Sequence, residues 1–390
     1  MKPVLARIIS AAPPQAQNHI QTYQLQTIPS SKYKTGDWVY LDQIPGSNNY
    51  RINGMAQPTQ SQFPSFEWKR LHQQLDNGLN RIEILKLRSR ILHQIREFFR
   101  TKGHLEVETP LLVPSPGVET HLKAIKTDHY FLSPSPEFQM KRLLAGGIGS
   151  IYQIAHSFRA GETGNRHNPE FTMLEWYSTG INGEELRRET EELISFLQSN
   201  LELPCPLPEP PYRRITMAQA FAEHAGVTDL RASPRQMYKQ AGILEKYQQK
   251  ITWEEGFFEI FIEKVEPVLT KEGPVFLTQW PIEFASLSKP LDSNPKVADR
   301  FEFFAENLEI ANGFAELIEP DIQRQRCLED LEYRRKHKLE LYPLDEKFLN
   351  SLKEAMPPTS GIALGLDRLI MLFAGTSKIE NALTFSHFEL

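Results

Sequence analysis

From residue 1 to about 66, apolar residues come in short runs broken by turn residues. Val4 to Ile9, Thr22 to Thr27, Asp37 to Leu41 and Tyr50 to Met55 read as strands, punctuated by Gly36-Asp37, Pro45-Gly46 and Asn53-Gly54. A small β-barrel or partial barrel fits this stretch, and Gln57 to Pro64, with prolines at 58 and 64, reads as a linker. The pattern then changes period. Asn80-Arg81-Ile82-Glu83 is a capping box, in which the Asn side chain accepts from a free backbone N–H and the Glu reaches back. It opens a helix whose apolar positions Ile84, Leu87, Ile91, Ile95 and Phe98 recur at helical spacing until Gly103 closes it. Leu105 to Thr109 alternates like a strand until Pro110 stops it.

Two more capping boxes, Asn182 to Glu185 and Thr252 to Glu255, predict amphipathic helices, and Ser233-Pro234 starts another. Strand patterns recur over 150–159, 170–178, 274–280, 300–317 and 360–365. Several of these runs follow one another without an intervening helix. The expected fold is therefore α+β, an antiparallel sheet flanked by helices, with 1–66 as a β-rich extension and 67–390 as the main domain.

Composition adds limits rather than detail. The 390 residues carry 40% hydrophobic and 24% charged side chains, as a globular protein does, and a net charge of -5 gives no global pull toward nucleic acid. The two cysteines, Cys205 and Cys327, match no metal or redox spacing, which points to a reducing cytoplasm. The N-terminus lacks the apolar core of a signal peptide, and no apolar run reaches membrane-spanning length.

Three segments carry candidate chemistry. The first runs from Ser157-Phe158-Arg159-Ala160-Gly161-Glu162 through His167-Asn168-Pro169 to Glu170-Phe171-Thr172-Met173-Leu174-Glu175-Trp176-Tyr177. It reads as strand, loop, strand, and period two puts Phe171, Met173, Glu175 and Tyr177 on one face. A ring and a carboxylate on one face suit a flat base beside a cationic group; a hairpin with an aromatic core face is the plain alternative. The second leads from Arg300-Phe301-Glu302 into Glu309-Ile310-Ala311-Asn312-Gly313-Phe314-Ala315-Glu316. Carboxylates buried in so apolar a double strand need partners, and a hard cation such as Mg²⁺ or a bound ammonium would serve; solvent-facing carboxylates on an edge strand are the alternative. In the third, Pro358 to Leu369, a glycine-rich strand turns into an apolar helix with Arg368 in its first turn. Its glycines let a ligand approach the backbone, and Arg offers a fixed fork of donors to phosphate.

In this order and spacing, the segments resemble the signature motifs of class II aminoacyl-tRNA synthetases. Helix 80–102 with the strand ending at Pro110 resembles motif 1, residues 157–177 motif 2 and residues 358–369 motif 3. The strings HNPEFTMLEWY and NGFAEL are similar to the lysyl-tRNA synthetase branch. Ala311, where the synthetases usually have Gly, and the strings LEVETP and SPEFQMKRLL resemble the paralogous family that ligates lysine to elongation factor P. The roughly 66 residues ahead of the main domain are too few for the synthetases' anticodon-binding barrel; they are either a vestigial barrel or a docking element.

The resemblance implies ATP-dependent activation of lysine or β-lysine and transfer to elongation factor P. A truncated lysyl-tRNA synthetase is the alternative acceptor reading, and a catalytically dead paralogue would have lost Arg159, Arg368 or the Glu302/Glu309 pair, all present here. The run Arg334 to Lys338 is read as a solvated helix face rather than a tRNA contact. By resemblance, Arg159 contacts the α-phosphate and the substrate carboxylate, and Arg368 the γ-phosphate; both count as catalytic. Phe171 stacks on adenine, His167 meets the triphosphate, Gly365 lies against the nucleotide, and Glu302 and Glu309 hold Mg²⁺. The residue that usually reads the adenine amino group falls at Gly161 here, with Glu162 next to it. Glu137 takes the backbone-type amine, Glu316 with Glu175 and Tyr177 the distal ammonium, Asn312 the carboxylate, and Ala311 shapes the pocket. A homodimer is implied by motif 1.

Overall fold

The alternation at the N-terminus is realised as a five-stranded antiparallel sheet. Its strands are β1 (Val4–Ala11), β2 (Pro14–Gln17), β3 (Thr22–Gln24), β4 (Trp38–Gln43) and β5 (Tyr50–Gln57), in the order β3-β2-β1-β4-β5. The computed structural model describes residues 4–390 apart from 12, 19, 20, 29–31, 61, 62, 121 and 355. Just beyond β3, Leu25 bridges to Tyr50, and the Gln26 N–H donates to the Tyr50 carbonyl at 2.9 Å. The two sheet edges thus meet, and the sheet closes into a small barrel around Ala6, Ile8, Ala16, Tyr23, Val39 and Leu41. Strand β2 was hidden by its composition, since Pro14 opens it where a missing N–H is tolerated.

The chain divides into two units, Met1–Ile84 and Leu85–Leu390, so the boundary lies beyond the expected residue 66. The reason is that the expected linker belongs to the barrel, although positions 61 and 62 of it lie outside the described residues. The Thr59 N–H donates to the buried Asp37 carboxylate at 2.8 Å, and the Phe63 ring meets Trp68 of helix α1 (Phe66–His72) edge-on at 5.0 Å.

The capping box is present, with Glu83 N donating to Asn80 Oδ1 at 3.1 Å and Asn80 N to Glu83 at 2.7 Å, and opens helix α2 (Arg81–Lys102). The second unit is built on a nine-stranded sheet. After it come β6 (Leu105–Glu106), the small three-stranded sheet of β7 (Leu112–Val113), β8 (Ile125–Thr127) and β9 (Tyr130–Leu132), and helix α3 (Glu137–Ala145). Then follow the hairpin β10 (Ile151–Phe158) and β11 (Glu170–Thr179), and helix α4 (Gly183–Asn200). The far half holds β12 (Arg213–Thr216), β13 (Val275–Pro281), β14 (Pro290–Leu291), β15 (Asn294–Ala305), β16 (Leu308–Ala315) and β17 (Thr359–Gly365). The order β12-β13-β15-β16-β17-β11-β10-β6, with β14 paired to β15 off this path, is antiparallel except for the pairs β12/β13 and β6/β10 at its ends. The strand expected over 105–109 stops at Glu106.

Strands β15 and β16 turn through Glu306 and Asn307 with φ of 49° and 57°, the paired left-handed geometry that matches sheet twist in a two-residue hairpin. Helices between β12 and β13 pack their apolar faces into a separate core around Phe221, Phe257 and Trp280. The central strands β16, β17 and β11 therefore present one face to an open cavity, and that face carries the chemistry.

Candidate active site

The cavity has a volume of about 420 Å³. Period two on β11 sets Phe171, Met173, Glu175 and Tyr177 along its wall, as expected. Glu137, Arg159, Glu162, His167, Glu309, Ala311, Asn312, Gly365 and Arg368 complete the expected set there. Gly161 has φ +80°, a left-handed conformation that bends the loop and leaves Glu162, not Gly161, on the cavity wall. Glu162 lies 3.8 Å from Arg159, whose guanidinium stands 5.2 Å above the Phe171 ring.

Arg368 is held by two fixed acceptors. It donates to the Glu309 carbonyl at 2.8 Å and meets His167 Nε2 at 2.7 Å. Burial, and then Arg368 itself, lower the His167 pKa, so the ring is a neutral acceptor for that guanidinium. The neighbouring Asp367 is buried and bound by Arg88 at 2.5 Å, and it accepts from the Thr172 N–H at 2.7 Å. This pair ties the helix after β17 to β11 and α2, and thereby fixes where Arg368 starts. No local pattern marks this pair, because the partners are distant in the chain.

Two expected residues do not line the cavity. Glu302 is buried, and its carboxylate accepts from Arg300 at 2.7 Å; Arg300 lines the cavity in its place and also donates to Asn312 at 3.2 Å. Burial, and then Glu309, push the Glu302 carboxyl up to about 8. Glu316 lies behind Gly361, where an added Cβ would stand 2.5 Å from its carboxylate and 2.3 Å from the Tyr177 ring, so only glycine fits there. Its partner is Lys141 of α3, an ammonium 1% exposed that pairs with both Glu316 and Glu137 (2.6 Å for Glu137). Burial pulls the Lys141 pKa down, but the two carboxylates outweigh it, and the ammonium ends above its usual range. Burial alone would push Glu316 toward neutrality, yet a neutral Glu316 would leave that ammonium half-compensated; the ion-paired form is the consistent one. The buried carboxylates of the β15–β16 hairpin do have partners, as expected, but these are Arg300 and Lys141 of the chain itself.

The cavity wall carries both signs of charge, with Arg159, Arg300 and Arg368 on it as well as the interacting carboxylates Glu137 and Glu175. Glu175 accepts from Ser135 Oγ at 2.6 Å and from the Tyr177 hydroxyl at 3.1 Å, and burial, then Glu137, raise its pKa to about 8. The arrangement suits a substrate with phosphates at one end and an ammonium at the other.

The family model for class II tRNA synthetases (D, K and N) matches residues 69–389. The chain belongs to the class II tRNA synthetases. Among curated relatives, it is 36% identical over 328 residues to elongation factor P–(R)-β-lysine ligase of Pseudoalteromonas translucida, an alignment covering 78% of this chain and 95% of that protein. The ligases of the same name from Haemophilus influenzae strain PittGG and Yersinia enterocolitica are 37% and 36% identical, over 78% and 76% of this chain and 95% and 93% of theirs. The resemblance carried by HNPEFTMLEWY and SPEFQMKRLL is thus borne out at the level of family, and the chain is an ATP-dependent, amino-acid-activating ligase of class II synthetase type. Among the described residues, no helix is long and apolar enough to cross a membrane.

One residue of the basic run Arg334 to Lys338 departs from the solvated helix face expected of it. Arg334 is not solvated but 2% exposed; it donates to the carbonyls of Glu119, Thr120, Leu122 and Glu340 and covers the Tyr342 ring. Arg335 to Lys338 are exposed, as expected.

Proposed function

We propose that the chain activates β-lysine with ATP as an acyl-adenylate and transfers the acyl group to a lysine side chain of elongation factor P. The presence on one cavity wall of both guanidinium groups and carboxylates is the observation that carries this reading, and the relatives' names point the same way.

The substrate carboxylate attacks the α-phosphorus in line and pyrophosphate leaves. Fixed positive charge aimed at the phosphate oxygens is the main aid the chain offers. Arg159 would meet the α-phosphate and the carboxylate, with Phe171 and Glu162 on the adenine, and Arg368 with His167 the γ-phosphate. Glu309 on the cavity wall, with Glu302 just behind it, would hold Mg²⁺, since burial and the Glu309 charge raise the Glu302 proton affinity and a hard divalent cation would relieve that repulsion. When bound, the ion would neutralise charge on the phosphates. Gly365 has room for a Cβ, with no protein atom nearer than 3.5 Å, so its bareness serves the nucleotide rather than packing. At the other end, Glu175 with Tyr177 would take the distal ammonium, and Glu316 would act from behind through Lys141. In the second step, the acceptor amine attacks the acyl carbon and AMP leaves. A homodimer and a cytoplasmic location complete the reading.

The deciding experiment offers the protein ATP, Mg²⁺ and labelled lysine or β-lysine, with elongation factor P and tRNA together as acceptors. Label on the protein factor alone supports the reading; label on tRNA overturns it.

Two further results are expected. At pH 7 the Glu175 carboxyl, raised to about 8, is mostly protonated in the empty site, and an arriving ammonium favours its ionised form. Binding of the diamino acid at pH 7 should then release about one proton from Glu175, a contribution that falls away above pH 8 and is lost in Glu175→Gln. Calorimetry in buffers of different ionisation enthalpy reads this directly, and equal release by the Gln variant would discredit Glu175. Ala311 is 2% exposed on the cavity wall, so its methyl takes up substrate space. Ala311→Gly should shift the β-lysine to α-lysine activity ratio toward α-lysine by about tenfold; an unchanged ratio removes Ala311 from the argument.

A further inference from the structure

One cavity carboxylate is used by none of these roles. Glu119, in the loop between β7 and β8, makes no side-chain hydrogen bond or ion pair among the described residues, yet its backbone is firmly held. Its carbonyl and those of Thr120 and Leu122 all accept from the buried Arg334, at 2.8, 3.2 and 3.1 Å, and the Thr120 hydroxyl donates to Asp330 at 2.7 Å. A buried guanidinium is thus committed to fixing a loop whose next polar group points at nothing in the protein.

Beside the main cavity lies a niche of about 20 Å³, and Glu119, Leu122, Ser135 and Glu137 border both. That volume holds one water-sized group, which is the size of an ammonium head. Two carboxylates and serine oxygens make it an acceptor-rich place. Ser133 donates to the Ser135 carbonyl and Ser135 to Glu175, so neither hydroxyl proton is left to offer an anion. Glu137 is already shared with Lys141, and Glu119 is the carboxylate with both oxygens free. Burial, and then Glu137, lift the Glu119 carboxyl to about 7, a poise that an incoming ammonium would shift to the ionised form.

We propose that Glu119, with Glu137, seats the substrate amine nearest the reacting carboxyl and selects β-lysine over α-lysine. An amine on the β-carbon stands one bond further from the carboxyl than an α-amine, so it reaches a lateral niche while the carboxyl stays at the phosphates. A second, unshared carboxylate there supplies the charge that Glu137 gives up to Lys141. The inference rests on the adenylation reading and names a specificity residue for it.

The test is amino-acid-dependent ATP–pyrophosphate exchange with Glu119→Gln, which keeps shape and removes charge. The KM for β-lysine should rise about 10- to 100-fold, the range expected for a charge-assisted hydrogen bond. The KM for ATP and the Tm should stay at the unmodified protein's values, and the preference for β- over α-lysine should fall about tenfold. Glu119→Asp should recover part of that preference. A β-lysine KM within twofold of the unmodified protein, or an equal loss with both isomers, overturns the proposal. If the unmodified protein exchanges with neither isomer, the adenylation reading itself fails and this inference with it, a result distinct from failure of the variant alone.

Discussion

Replacing Arg368 by Ala should lower kcat/KM for lysine-dependent ATP–pyrophosphate exchange by about 10³-fold while leaving the fold intact. The size follows from what the side chain would do: removing one preorganised donor to developing oxyanion charge typically costs about 10²–10³ in rate, and a guanidinium offers a fork of donors with full charge. The sparing of the fold follows from what it does now. Its side chain is 21% exposed, and its hydrogen-bond and ion-pair partners are the carbonyls of Glu309 and Arg166, the His167 ring and, at 3.5 Å, the Glu309 carboxylate. Partly solvated contacts of this kind are worth roughly 1 kcal/mol or less to stability. Thermal unfolding should therefore stay within a few degrees of the unmodified protein. His167 orders the same guanidinium as a neutral acceptor, so His167→Phe should show a smaller loss of the same kind. Exchange within tenfold of normal in Arg368→Ala would remove this residue from the machinery.

How much of this was legible depended on how local the cause was. Period-two alternation in β11 gave the cavity face directly, because a strand's side chains must alternate. The capping boxes at Asn80, Asn182 and Thr252 are written in four consecutive residues each, and all three are present. Desolvation cost likewise requires partners for the carboxylates of the β15–β16 hairpin, but it does not name them. Lys141 falls at i+4 from Glu137 on one face of α3, where an exposed ion pair would look the same in sequence. Only the fold, which carries Glu316 to it from a distant strand, turns that pair into a buried triad. Arg334 was misread for the same reason. A run of five basic residues looks like a solvated surface, and nothing local marks the one that turns inward to bind four carbonyls. The family strings add what spacing cannot, since the resemblance they carry implies phosphate contacts for Arg159 and Arg368.

The largest effect on stability is expected at that triad. Lys141→Met fills a similar volume but leaves Glu137 and Glu316 buried without their cation, and breaking a buried ion pair on one side costs about 3–5 kcal/mol. The penalty should depend on pH in a defined direction. With Lys141 gone, the attraction that offsets burial is lost, so the folded-state pKa of Glu316 rises above the value it has in the ion-paired protein and stands far above its unfolded value. A group whose folded pKa is raised stabilises fully below the unfolded value, near 4.5, and loses that contribution as pH climbs through the folded value. The variant should therefore lie close to the unmodified protein near pH 5 and fall progressively further below it as pH rises. Adding Glu316→Gln removes one of the two stranded charges, so the double variant should recover part of the loss, and the recovery measures the coupling between the two positions. Thermal unfolding across this pH range checks both points. A penalty that stays constant with pH would mean that Lys141 contributes packing rather than charge, and no recovery in the double variant would mean that Glu316 does not depend on it.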